Sequence, residues 1–326
     1  MNFLKRKQFT WLLLVAVCLF TSCSTVFDDR DGCPVGCHIR FKYDYNMKWA
    51  DAFANEVNRV TLYVFDSDNH YVTSLTEEGA ALKTSDYYMS LQVKPGKYTL
   101  VAYGGLDGES FKATDLQTGK STPADLQVAM TGSRETSATE LHPLWHGLSR
   151  SFTVTGGYQE HLISLVKDTN TLKVMLQQVE GGEMDASKFT MTIEDDNTAF
   201  AWDNSLITQG SNTVYNPYLT GNYAVTDATG TGNIAYGQFS LSRLMADSKA
   251  RLKIVNNESL TTVIDIPLVD YLLYTGMEGK PISAQEYLDR QDEYSFIFFL
   301  DPDYRWIKVQ IIINGWTIRM DDMDYQ

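Results

Sequence analysis

"CPVGCHIRFKYDYNMKWADAFANEVNRVTLYVFDSDNHYV", residues 33–72, carries two periods in turn. Ile39, Phe41, Tyr43 and Tyr45 alternate with Arg40, Lys42 and Asp44, the pattern of a strand with one buried face. Between Met47 and Asn58 the spacing lengthens. Trp49, Phe53 and Val57 recur every fourth residue, which predicts a short amphipathic helix packed on a sheet. Alternation resumes in VTLYVFD. Asp66, Ser67, Asp68 and Asn69 then supply turn residues, so residues 60–72 read as strand, turn, strand. The stretch indicates a β-rich fold with helices confined to connections.

The same alternation runs down the chain. YYMSLQV (87–93) and KYTLVAYGG (97–105) flank Pro95-Gly96, which predicts a hairpin. Residues 106–138 are polar and weakly patterned, a long excursion with room for one short element. LWHGLSRSFTVTGG (144–157) restores alternation, and Thr155-Gly156-Gly157 marks a break between domains at 37–157 and 158–326. Beyond it, HLISLVKDTNTLKVMLQQV offers one or two strands and KFTMTIEDDN another. Residues 206–245, rich in Gly, Asn and Thr, read as surface loops. Residues 250–269 form a hairpin turned at Asn256-Asn257. Ser283 and Glu286 make a capping box for a short helix, with Glu286 returning to the cap amide. YSFIFFLD and RWIKVQIIINGWTIR give two long strands around Asp301-Pro302-Asp303. The expectation is an all-β chain of two mainly antiparallel domains, for which face-to-face sandwiches bury the alternating faces.

Upstream, the chain starts MNFLKRKQFTWLLLVAVCLFTSC. Lys5, Arg6 and Lys7 precede an apolar run, residues 9–20, too short to cross a bilayer. Thr21 and Ser22 lead to Cys23. This is the order of a bacterial lipoprotein signal: residues 1–22 leave, and Cys23 becomes an acylated first residue. Leu19 fits the usual processing pattern, while Phe20 stands where leucine is commonest. Several acyl chains make attachment effectively permanent, at about 0.8 kcal/mol per buried methylene. Residues 23–36 read as a lipidated tether, short, polar and acidic. Cys18 leaves with the signal. Cys33 and Cys37 sit in CPVGC, where a disulfide-closed loop is the expectation outside the cytoplasm and free thiols the alternative. So small a loop constrains little unfolded-chain entropy. A metal would need more ligands than this segment offers.

Removing residues 1–22, which carry three basic and no acidic side chains, takes the formal charge from −14 to −17. So acidic a chain is a poor partner for nucleic acid, whose binding rests on cationic phosphate contacts. No later segment is long and apolar enough to span a membrane as a helix. The five histidines are His38, His70, His142, His146 and His161. His142 and His146 would share a face of a helix, but Pro143 and the strand-like surroundings argue against a helix and for a packing role of Trp145. Glu194, Asp195 and Asp196 open an acidic segment without calcium-loop spacing, best read as a solvated loop. No HExxH, GxSxG, phosphate-cradling glycine loop or paired CxxC occurs, so neither catalysis, cofactor nor metal is expected. Nineteen tyrosines and six tryptophans suit cross-strand packing first and a sugar-binding surface second.

The opening stretch resembles the amino-terminal region of the FimB/Mfa2-type fimbrial anchor proteins of Bacteroidia. The likeness lies in the lipoprotein cysteine, the short acidic leader, the cysteine-containing entry to the first strand, YDYNM, the linking helix and VTLYVFD. It continues in KPGKYTLVAYGG, LWHGL, HLISLVKDTNTLKV and INGWTIR, and so touches both predicted domains. The resemblance implies two transthyretin-like β-sandwich domains and no catalysis. It implies a lipid site at Cys23 and a cysteine loop at Cys33 and Cys37. It further implies an outer-membrane location, a fimbrial shaft subunit as partner, a strand accepted from that subunit by β-augmentation, and a part in limiting fimbrial length. The alternative is a surface glycan-binding lipoprotein. A lipid-tethered hydrolase is a more distant third.

Overall fold

The structure is a computed structural model. It describes residues 36–319 apart from 180, 228–229, 277–281 and 314–315. Cys23 and Cys33 therefore lie outside the described residues. The first half contains β1 (Cys37–Lys42), β2 (Arg59–Phe65), β3 (Tyr71–Glu78), β4 (Met89–Leu91), β5 (Gly96–Gly104), β6 (Phe111–Ala113), β7 (Gln127–Met130), β8 (Thr136–Ser137), β9 (Trp145–Val154), β10 (Gln159–Ser164) and β11 (Val166–Lys167). The second contains β12 (Thr169–Gln178), β13 (Phe189–Asp195), β14 (Ala199–Ala201), β15 (Thr213–Tyr215), β16 (Leu219–Asp227), β17 (Gly230–Ser242), β18 (Arg251–Asn256), β19 (Thr261–Pro267), β20 (Glu293–Leu300), β21 (Trp306–Ile313) and β22 (Trp316–Arg319). Short α-helices cover Phe53–Glu56, Leu268–Gly276 and Ala284–Arg290.

These strands form five sheets, ordered β10-β1-β4, β11-β9-β5-β2-β3, β14-β7-β6, β19-β18-β13-β15-β8 and β16-β17-β12-β20-β21-β22. Pairing is antiparallel except for β1 with β10, β8 with β15 and β12 with β20. The chain is all-β and mainly antiparallel. Ile39, Phe41 and Ile163 meet Leu62, Val64, Leu100 and Phe152 in one core, between the three-stranded sheet and the five-stranded sheet of the first half. Leu172, Phe239 and Phe296 meet Ile193, Leu252 and Ile264 in the other.

The apolar run in KYTLVAYGG now has a cause. Leu100 and Ala102 enter the first core, while Val101 and Tyr103 enter the second. A strand buried on both faces loses strict alternation. Gly105 follows at φ +72°, where an added Cβ would stand 1.9 Å from the carbonyl oxygen of Pro143. The turn after β5 thus requires glycine twice over, for its backbone and for its space.

The β2–β3 turn forms as expected. Asp66 Oδ1 accepts from the amides of Asp68 and His70 at 3.0 and 2.9 Å. The hairpin over 250–269 also forms, with Asn256 Oδ1 taking the amides of Glu258 and Ser259.

Other expectations are corrected. Only Phe53–Glu56 is helical within 47–58. Asn46 Nδ2 donates to the carbonyls of Tyr43 and Ala50, and Asp51 Oδ1 accepts from the amides of Tyr43 and Phe53. Such side-chain bonds to backbone compete with helix and fold residues 43–52 into a loop, with Trp49 at φ 54°. Pro95-Gly96 closes no hairpin: β4 pairs with β1, and β5 pairs with β2 and β9. That turn carries the chain from one sheet to the facing one.

The excursion 106–138 holds β6, β7 and β8, and the last two pair with β14 and β15 of the second half. Residues 206–245 are largely strand, because Ala235, Phe239 and Leu241 supply a buried face on β17 that its Gly, Asn and Thr content conceals. Ser283 does cap its helix through the amide of Glu286. The Glu286 carboxylate, however, binds Arg290 Nε at 2.8 Å instead of the cap amide. Pairing also continues through Thr155-Gly156-Gly157, since β10 joins β1 and β11 joins β9. The change from first-half to second-half sheets comes at Asp168, between β11 and β12.

Candidate anchoring and assembly site

The chain enters the fold at β1, whose first residue, Cys37, is 2% exposed. Burial pushes its thiol above the ordinary range.

On one side of β1 lies β10, a parallel edge strand. Gln159 and Leu165 donate their amides to Gly36 and Lys42. In a parallel ladder alternate residues bond to one neighbour, so the main-chain groups of Glu160, Leu162 and Ser164 point to the outer edge. There β9 turns beside β10, and Ser149 Oγ meets His161 Nε2 at 2.7 Å. His161 stacks on Phe152, and burial lowers its pKa.

A charged seam joins the halves. Arg243 donates from Nε and Nη2 to both oxygens of Asp289 at 2.8 Å. Its Nε is also 3.7 Å from Asp168 Oδ1, and Asn204 Nδ2 donates to the same oxygen at 2.8 Å. Asp168 is wholly buried, and burial holds its pKa up at about 7 against the pull of Arg243 and Asn204. Two residues past Arg290, Asp292 receives Lys167 at 2.5 Å, with Glu56 at 3.5 Å from the same ammonium. The Arg290 guanidinium lies between the rings of Tyr45 and Trp49, 3.9 and 3.7 Å from their centroids. It also donates to the carbonyl of Asp44. Arg290 and Asp292 therefore grip the first half, at the Tyr45 and Trp49 rings, the Asp44 carbonyl and Lys167. A cleft of about 540 Å³ opens beside them, lined by Asn46, Lys48, Asp51, Glu56, Arg290 and Asp292.

The histidine pair separates. His146 faces inward from β9, with Nε2 2.9 Å from the carbonyl of Trp202, and burial lowers its pKa to about 4. His142 is exposed and meets Asp107 at 2.6 Å. Trp145, between them, is buried against Tyr43, with Lys167 over its ring. The acidic segment braces its own loop: Asp195 binds Ser248, and Asp196 accepts the amides of Gln209 and Gly210. The seam was not visible in the sequence, because its partners lie 46 and 125 residues apart.

A family model described as "Fimbrillin-A associated anchor proteins Mfa1 and Mfa2" matches residues 30–322. A structure of a candidate adhesin from Bacteroides thetaiotaomicron VPI-5482 is 36% identical, with a TM-score of 0.80, over 90% of this chain and 100% of that one. A second structure from the same organism, of a candidate polysaccharide-binding protein, is 35% identical, with a TM-score of 0.78, over 88% of this chain and 98% of that one. The minor fimbrium anchoring subunit Mfa2 of Porphyromonas gingivalis is 25% identical over 97 residues, 30% of each chain's length.

Proposed function

The chain belongs to the family of fimbrillin-A associated anchor proteins Mfa1 and Mfa2, and on that basis we propose that it tethers a fimbrial shaft to the outer membrane. The observation that carries this reading is the extent of the match, which begins in the tether and runs through both halves of the fold. The relatives are anchors and adhesins, and the work proposed is binding and assembly, not catalysis.

In this reading Cys23 carries the lipid, and Cys33 and Cys37 close a disulfide loop just before β1. Each half is a transthyretin-like sandwich, with the division near Asp168. The body accepts a strand from the first shaft subunit, and this cap also limits fimbrial length. The outward main-chain groups of β10 support such a role, because an edge strand offers unpaired donors and acceptors to an extended segment. The charged seam supports it as well, since a tether must pass load from shaft to lipid through one body.

Deleting the gene and examining the fimbriae tests the reading. Shed or abnormally long fimbriae are expected; unchanged, cell-attached fimbriae would refute it. Cys23→Ala should abolish acyl labelling, and persistent labelling would remove the lipid assignment.

A second reading, a surface glycan-binding lipoprotein, is favoured by the likeness to the candidate polysaccharide-binding protein. Binding of a purified polysaccharide with fimbriae unaffected by the deletion would select it.

A further inference from the structure

The sheet β10-β1-β4 has one face in the first core and one turned outward. Cys37, Ile39 and Phe41 point inward, so His38, Arg40 and Lys42 point outward. The register sets Ser90 and Glu160 beside His38, Leu162 beside Arg40 and Ser164 beside Lys42. Tyr88 stacks on the His38 ring at 3.7 Å, and Tyr158 meets the same ring edge-on at 5.1 Å. Tyr88, Tyr158 and Leu162 are 45%, 49% and 53% exposed. Three large apolar side chains thus stand in water on one small three-stranded face.

The chemistry and place of the face indicate what covers it. Tyrosine pairs an apolar ring with a polar tip, the combination suited to a water–lipid boundary. Arg40 and Lys42 stand there against Glu160, with Asp44 beside Lys42 just past the strand. The face is therefore charge-balanced in a mature chain of formal charge −17. It is a part of the surface that phosphate headgroups repel little. The aromatic cluster also sits at the end of β1 where the tether enters. Thirteen residue steps lead from Cys23 to Gly36, a reach of at most about 45 Å.

We propose that this outer face, centred on Tyr88, His38 and Tyr158, rests on the phospholipid headgroups of the membrane that holds the tether. The inference rests on the lipidation of Cys23. The tether makes contact with the surface intramolecular, at an effective concentration of about a millimolar. A face whose own affinity is about a millimolar or tighter is then seated about half the time or more. The contact fixes which side of the body faces the lipid.

Hydroxyl-radical footprinting reads it. The mature lipoprotein is compared on vesicles of saturated phosphatidylethanolamine and phosphatidylglycerol with the Cys23→Ala chain free in solution. Oxidation of Tyr88, Tyr158 and Leu162 should fall about twofold or more on vesicles. Tyr274 and Leu260, exposed elsewhere on the molecule, should not change. In the lipidated Tyr88→Ser/Tyr158→Ser chain, Leu162 should return to its soluble-chain level while the protein still sediments with vesicles. Equal oxidation of the three residues on and off vesicles, with the chain bound, overturns the proposal. Shielding by soluble polysaccharide or by fimbrial shaft, and none by vesicles, also overturns it and assigns the face to that partner. Should the mature chain fail to sediment, the acylation reading fails separately. The same footprint is then taken with an amino-terminal hexahistidine tag holding the mature chain on nickel-chelating lipid.

Discussion

Asp168 and His146 are buried titrating groups of opposite sense. Asp168 has a folded pKa of about 7 against 3.8, so it binds a proton in the folded state that the unfolded chain has already lost. Its contribution is fully present below pH 4 and fades as pH rises towards 7. His146 has a folded pKa of about 4 against 6.5. Its contribution is present above pH 6.5 and fades as pH falls towards 4. Over the shared window the two slopes oppose. The two contributions therefore offset each other there, and single variants should expose each slope. Asp168→Asn should lose stability on going from pH 7 to pH 4, and His146→Gln should gain it. Urea midpoints at the two pH values decide; parallel profiles for both variants would refute the assignment.

Gly105 is a second decision made by one residue. Gly105→Ala puts a Cβ in the left-handed region and against the Pro143 carbonyl. A loss of about 2 kcal/mol or more is expected in urea unfolding. A loss under about 0.5 kcal/mol would show that the turn relaxes freely.

At the scale of elements, β1, β3 and β13 could be read because each has a wetter face and a drier one. β5 misled for the opposite reason. Its residues are buried on both sides, and Pro95-Gly96 before it looks the same whether it closes a hairpin or crosses between sheets. A turn dipeptide specifies local backbone and not the destination of the next strand. β17 was missed because its glycines, with Thr231, Asn233, Gln238, Ser240 and Ser242, give it the composition of a loop. The helix expected over 47–58 failed on Asn46 and Asp51, whose side chains hold the backbone of a loop instead. The seam was illegible for a further reason, since no local pattern relates Lys167 to Asp292 or Asp168 to Arg243. The anchor residues Cys23 and Cys33 remain readings of the sequence.

The loop that replaced the helix carries its own prediction. Tyr45 and Trp49 clasp the planar Arg290 guanidinium, which an ammonium cannot replace in that geometry. Arg290→Lys should keep the charge and still cost about 1–2 kcal/mol. Quenched Trp49 fluorescence should recover as the stack opens. An unchanged urea midpoint would mean that the clasp holds nothing.

At the scale of the molecule, the sheet β11-β9-β5-β2-β3 belongs to both cores. Leu62, Leu100 and Ala102 need the three-stranded sheet beside them, while Phe65, Val101 and Tyr103 need the second half. Taking the second half away would expose side chains whose burial contributes about 1.5–3 kcal/mol each. It would also strip β7 of β14, β8 of β15 and Lys167 of Asp292. Chains of this length commonly unfold part by part. Here a shared sheet forbids it, because neither core closes alone. Calorimetry and amide exchange should therefore show one cooperative transition, with β1, β5 and β12 opening together. A chain ending at residue 167 should lack fixed tertiary structure. Two resolved transitions, or a native-like fragment, would break the shared-core account. With it would go the idea that load passes from shaft to lipid through a single rigid body.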